Sequence, residues 1–203
     1  MKRLPALLAI IVLAACCFLS GKRGIADLYS LRPLGPLDER PVKRMADSDL
    51  ANAFSSASLA HRLDPGNPLY LENMARIRYW QAGISPYPGK MKTLLGEALS
   101  YSKEAAGFDP VSPYPWSTMM LVKLKLGEID ADFGRFMNNA AMLGPWEPEI
   151  QRSVAKAGLL SWSRLSGSER KTVLEDFTRG YRRQAGKMTE IAMNCGNHGK
   201  TCD

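Results

Sequence analysis

Gly83-Ile-Ser-Pro-Tyr-Pro-Gly89-Lys90 has the outline of a phosphate-binding loop, in which backbone N–H groups and a lysine surround a phosphate. It holds one residue too many, and Met91 stands where a Ser or Thr hydroxyl would hold magnesium. Pro86 and Pro88 also have no N–H to donate. Ser100-x-x-Lys103 and Ser153-x-x-Lys156 match the Ser–Lys pair of penicillin-binding enzymes, but the companion motifs are absent. Asp130-Ala-Asp132 has the spacing of a metal-binding acid pair in some sugar transferases, which require an α/β scaffold. Together with Glu128 it reads instead as the start of a helix, where acids favour the positive end of the dipole. His61 sits beside Ala60 within a helical pattern and reads as a packing or surface residue. No catalytic residue, cofactor site or metal site is expected, and the chain is read as a non-enzyme.

Two further groups could bind rather than react. Trp80, Trp116, Trp146 and Trp162 could form stacking platforms for a sugar chain, or could pack at hinges between helices. Arg179, Arg182, Arg183 and Lys187 could meet an anionic polymer or phospholipid headgroups, or could form a solvated face. At the C-terminus, Cys195 and Cys202 bracket a short polar segment, which suits a disulfide in an oxidising compartment. The rival reading is C-x2-H-x3-C through His198, which offers three ligands where structural zinc takes four.

Charge and hydropathy define where these elements sit. The 203 residues include 27 Lys+Arg against 20 Asp+Glu, for a net charge of +7. Residues 1–26 hold Lys2, Arg3, Lys22 and Arg23 and no acid, so most of the excess flanks one greasy segment and little is left for a nucleic-acid face. Leu4 to Gly21 carries no charge and is about as long as the shortest membrane-spanning helices, roughly 17 residues. Three readings remain open: a membrane anchor, a lipoprotein signal, or a cleaved secretion signal. Leu13-Ala14-Ala15-Cys16 has the shape of a lipidation site at Cys16, although Cys17-Phe18-Leu19 stay apolar beyond it. All three put the body outside the cytoplasm, in the periplasm beside a bacterial inner membrane. Residues 27–46, with Pro33, Pro36 and Pro41, read as a linker.

From Asp47 onward helix patterns follow one another without strand alternation, and one turn recurs. Pro65, Pro110 and Pro145 are each followed three residues later by Pro68, Pro113 and Pro148. Five residues before the first proline stand Ala60, Ala105 and Ala140; twelve before it stand Ala53, Ala98 and, as a departure, Phe133. The first proline ends a helix and the second opens the next, where a missing N–H costs nothing. Small residues let the paired helices approach closely. Position by position these units resemble the tetratricopeptide repeat. The spacing predicts an all-α, right-handed solenoid of helical hairpins, with about seven helices after the N-terminal one: 47–63, 68–82, 91–107, 114–126, 129–143, 148–163 and 167–192. Gly83–Thr93 reads as an insertion between helices, and the last helix as a cap. The 195–203 tail follows the 47–194 repeat domain.

A more particular resemblance rests on three runs. They are Leu63-Asp64-Pro65-Gly66-Asn67-Pro68 with Tyr70-Leu71-Glu72, Ser112-Pro113-Tyr114-Pro115-Trp116, and Leu143-Gly144-Pro145-Trp146-Glu147-Pro148-x-x-Gln151. With Gly158-Leu159, Trp162 and Arg179-Gly180 they resemble VpsP-type bacterial polysaccharide-biosynthesis proteins. The resemblance implies a small anchored helical protein working with exopolysaccharide machinery, and implies no active site. The expected activity is therefore a scaffold that binds protein partners of that machinery, with a polysaccharide-binding lipoprotein as the alternative. Nucleic acid is not expected as a partner. In tetratricopeptide-like stacks the first helices of the hairpins line the inner face, so Glu72, Arg76, Tyr79, Lys123, Gln151 and Arg152 are the expected partner-binding residues.

Overall fold

The structure, a computed structural model, describes residues 3–38 and 46–198, with side chains described for 10–29 and 46–195. The described residues form eight α-helices and no strand: α1 Arg3–Asp38, α2 Asp47–Leu63, α3 Pro68–Ile84, α4 Pro88–Phe108, α5 Pro113–Leu126, α6 Ala131–Leu143, α7 Pro148–Leu160 and α8 Gly167–His198. A single 3₁₀ turn, Trp162–Arg164, separates the last two.

The recurrent prolines make the same turn three times. At the helix end, Asp64 N donates to Ala60 O, Asp109 N to Ala105 O and Gly144 N to Ala140 O, each at 2.9 Å. Across the turn, Asn67 N donates to Asp64 O at 3.3 Å, Ser112 N to Asp109 O at 3.4 Å and Glu147 N to Gly144 O at 3.1 Å. Pro68, Pro113 and Pro148 then open α3, α5 and α7. The alanines five residues before the turn are fully buried, as are Ala53, Ala98 and Phe133. Phe133 fills the largest core cluster with Met119, Met120, Met137 and Val154, so the bulky departure supplies core volume where its counterparts supply close approach.

Helices pair in sequence: α1 with α2, α3 with α4, α5 with α6, α7 with α8. α5 also lies against both α3 and α7, so these three run side by side. Leu99 of α4 joins two parts of the core, packing against both the α5–α8 cluster and the α3–α5 cluster. Gly127 ends α5 in the left-handed conformation, φ 73°, and its N–H bonds back to Leu124 O. Gly158 marks the close approach of α7 to α8, where the side chain of Val173 occupies the space a Cβ would need.

Several boundaries differ from the sequence expectation. α3 extends to Ile84 and α4 begins at Pro88, so the Gly/Pro-rich insertion lengthens this hairpin and leaves only Ser85–Tyr87 between helices. The reason is local: Pro88 suits a first helical turn, and Tyr87 O accepts from Met91 N at 2.9 Å. α8 is bent at Gln184, whose φ of −141° and ψ of 52° are not helical. α1 continues past Gly21 through residues 27–38, which lie in the stretch read as a linker. It is held there by tertiary contacts. Ala26 is fully buried with Ala60 and Tyr70, and Tyr70 Oη donates to Asp27 Oδ1 at 2.6 Å. Burial and the Asp27 carboxylate push the Tyr70 hydroxyl pKa up to about 12. Ile10, Ile11, Val12, Leu13, Phe18 and Leu19 are exposed along α1. No helix of the described residues is long and apolar enough to cross a membrane.

Candidate functional site

The side-by-side helices α3, α5 and α7 form a groove of about 380 Å³. Its walls repeat the turn register. Leu69, Tyr114 and Glu149, each the residue after the helix-opening proline, all line it. One turn further, Glu72 and Asn73 of α3 are matched by Ser117 and Thr118 of α5. Arg76, Tyr79 and Trp80 complete the α3 wall.

A polar lattice crosses this surface. Arg76 Nη1 of α3 lies 3.6 Å from Glu149 Oε1 of α7, reaching past the intervening α5. The same guanidinium sits 5.1 Å from the centre of the Trp80 ring. Lys125 Nζ lies 5.6 Å from the Tyr79 ring. Ser112 Oγ donates to Glu72 Oε1 at 2.7 Å, and Tyr114 Oη donates to Glu147 Oε2 at 3.1 Å. Burial raises the Glu72 pKa above the usual carboxylate range; Asp109 adds to this, while Ser112 and Arg76 oppose it. Burial and the neighbouring Glu147 push the Tyr114 hydroxyl up to about 12, so it stays a protonated donor at neutral pH.

The structure brings together three of the six expected partner-binding residues, Glu72, Arg76 and Tyr79. The other three lie elsewhere. Lys123 is pinned at the end of α5 by Glu128 at 2.8 Å and Asp130 at 2.7 Å, ties that raise its pKa. Asp130 also caps α6 by accepting from Phe133 N at 3.0 Å, so the acids around 130 act as helix-start chemistry. Gln151 is fully buried, contrary to its expected exposure. Its Nε2 donates to Pro145 O at 2.8 Å, satisfying a carbonyl at the turn. Arg152 donates to Gln184 Oε1 at 2.8 Å, so the chain at the α8 bend covers this turn of α7. The sequence reading missed the rest of the α3 wall, Leu69 and Asn73, and every groove residue of α5 and α7, among them Tyr114, Ser117, Thr118, Leu121 and Glu149. Copying the offsets of Glu72 and Arg76 from Pro68 onto α5 would have found Ser117 and Leu121.

The tryptophans do not form one platform. Trp116 packs beside Phe136 with ring centres 6.0 Å apart and donates to Pro110 O at 3.1 Å. Trp162 packs on the core beside Arg170, and Trp146 is exposed at a turn. Of the four basic residues of α8, Arg179 pairs with the buried Asp176 at 3.0 Å, and Arg183 donates to Trp146 O at 2.8 Å. Lys187 pairs with Glu190 at 3.1 Å, and Arg182 is exposed. Cys16 is an exposed free thiol on α1. Cys195 is buried, and Cys202 and the His198 side chain lie outside the described residues, as therefore do the disulfide and metal readings of the tail. No protein-family model matches this chain, and no curated protein is significantly similar to it.

Proposed function

We propose that this chain is a non-catalytic extracytoplasmic scaffold of bacterial exopolysaccharide biosynthesis or export, of the VpsP type. On this reading the helices form a tetratricopeptide-like right-handed solenoid, and its inner face holds a protein partner from the polymerising or exporting machinery. The observation that supports it is the convergence of α3, α5 and α7 on one groove with the same register position from each. Solenoids present such a face to a peptide or helix. The six exposed apolar residues between Ile10 and Leu19 support an anchor that begins at Leu4 and holds the body at the periplasmic face of the inner membrane. The Cys195–Cys202 bridge would staple the tail in that compartment, and lipidation at Cys16 is the alternative means of attachment. Sugar binding is the weaker reading of the groove, because cations already lie against the rings of Trp80 and Tyr79.

Replacing Thr118 by a photoreactive benzoylphenylalanine in producing cells tests this reading. Irradiation should give one discrete protein adduct, and a C-terminal alkaline phosphatase fusion should be active. Adducts with polysaccharide alone, or no adduct from a folded periplasmic body, would refute the scaffold reading of the groove.

A further inference from the structure

We infer that the groove receives a peptide segment carrying an arginine or lysine, whose cation is held between Glu72 and Glu149 while a flanking apolar side chain packs by Leu69, Leu121 and Ile150. This rests on the groove being the partner-binding surface. The groove itself makes the site, and its charge gives the sign of the ligand. Glu72 and Glu149 stand on two of its three helices, with Glu147 on the rim beside Tyr114 and Asp109 acting on Glu72. Against these four carboxylates stand Arg76 on the wall and Lys125, which lies by Tyr79. The acidic surplus is local, since the whole chain carries +7.

Arg76 shows what such a visitor would do. Its guanidinium already makes one of the contacts expected of the ligand, the Glu149 carboxylate at 3.6 Å, and lies 5.1 Å from the centre of the Trp80 ring. A groove that places a carboxylate and an aromatic face around one guanidinium has the chemistry to hold a second cation. Glu72 is one host for it. Burial disfavours its charged form, and an arriving cation would offset that cost. An anionic segment would instead meet Glu72 and Glu149 directly, and like-charge contact acts against it.

The test uses the full chain in detergent micelles with ¹⁵N-labelled tryptophan, the Trp80 indole signal being assigned through Trp80→Phe. Three probes are titrated: acetyl-Leu-Arg-Leu-amide, its citrulline counterpart, which keeps the shape and loses the charge, and its glutamate counterpart. The arginine probe should move the Trp80 signal and bind about tenfold more tightly than the citrulline probe, as two partly desolvated charge contacts allow. Glu72→Gln and Glu149→Gln should each reduce that ratio severalfold. Arg76→Gln should increase it, because it removes the resident competitor; a purely architectural Arg76 would not give this result. Equal binding of arginine and citrulline probes, tighter binding of the glutamate probe, or no movement of the Trp80 signal overturns the proposal. The Thr118 adduct judges the groove separately. A protein adduct whose cross-linked segment lacks Arg and Lys leaves the scaffold reading standing and refutes only the cationic ligand.

Discussion

Gly158→Ala isolates the contact that joins the last hairpin. A Cβ built at Gly158 would meet Val173 Cγ1 at 2.6 Å and Val173 Cβ at 3.0 Å, with Cγ2 nearer still. Real Cβ atoms do not sit this close, so α7 and α8 must separate or Val173 must move. Val173 cannot move cheaply. It is β-branched on a helix, with one strongly preferred χ1 rotamer, and is 1% exposed within the largest core cluster. Overpacking of this kind costs about 1–3 kcal/mol. Alanine in a helix interior returns about 1 kcal/mol relative to glycine. Gly96→Ala at an exposed position of α4 supplies that second effect alone, since nothing lies within 4 Å of its added Cβ. Urea denaturation should therefore place Gly158→Ala about 2 kcal/mol below Gly96→Ala, with m-values unchanged. In a double-mutant cycle, Val173→Ala should cost less in the Gly158→Ala background than in the parent. Equal stability of the two alanine variants would refute the close approach of α7 and α8.

Three other outcomes follow from particular side chains. Gln151→Ala leaves the Pro145 carbonyl without its donor and removes the acceptor of Gln184 Nε2 at 3.2 Å, so it should lower stability by about 1–3 kcal/mol in the same urea assay, whereas a surface glutamine would give almost nothing. Asp27→Ala removes the acceptor of the Tyr70 hydroxyl, so the Tyr70 pKa, about 12 in the parent, should fall toward the ordinary tyrosine value in a spectrophotometric titration; an unchanged value would mean α1 is not docked there. Burial raises the Asp176 pKa despite Arg179, so its folded form binds its proton more tightly than the unfolded chain does. That linkage makes ionised Asp176 a cost that disappears on acidification: the parent should gain stability relative to Asp176→Asn as pH falls through the raised pKa toward about 4, and a relative loss over that window would contradict it.

The turns were legible in the sequence because their physics is local. A proline cannot donate, so it can end one helix and open another wherever it falls, and an alanine five residues earlier needs no knowledge of its neighbours to be small. The three matching hydrogen-bond sets at Asp64, Asp109 and Gly144 follow from that alone. What the sequence left undetermined was the fate of polar residues on the inner helices. Gln151 and Arg152 read as surface residues, yet one closes a turn and the other is held by Gln184, a residue 32 positions away. Neither partner can be inferred from helical periodicity: that of Arg152 depends on where α8 bends, and that of Gln151 is a turn carbonyl six residues back, outside its own helix. Lys123 was similarly misplaced, since its acids lie beyond the Gly127 turn rather than on its own helix. The helical continuation of α1 past Gly21 was hidden for the same reason, its support being the buried Ala26 and the Tyr70–Asp27 bond.

These placements also bear on how the groove would work. α7 contributes only its first turn, Glu149 and Ile150, because the α8 bend covers the next. The open surface is therefore short, and a single peptide segment seated on it gains little area. Affinity does not follow area, but a site with few anchors binds weakly unless something else supplies proximity. On the scaffold reading, α1 supplies it. The helix whose apolar residues are exposed from Ile10 to Leu19 is the same helix that docks Ala26 and Asp27 on the body, with no flexible tether between them. Confinement of both proteins to one membrane raises the effective concentration of the segment, and a rigid link aims the groove instead of letting it wander. On that reading, a short acidic site that binds a cationic segment, joined to one continuous helix, would suit a partner held in the same membrane.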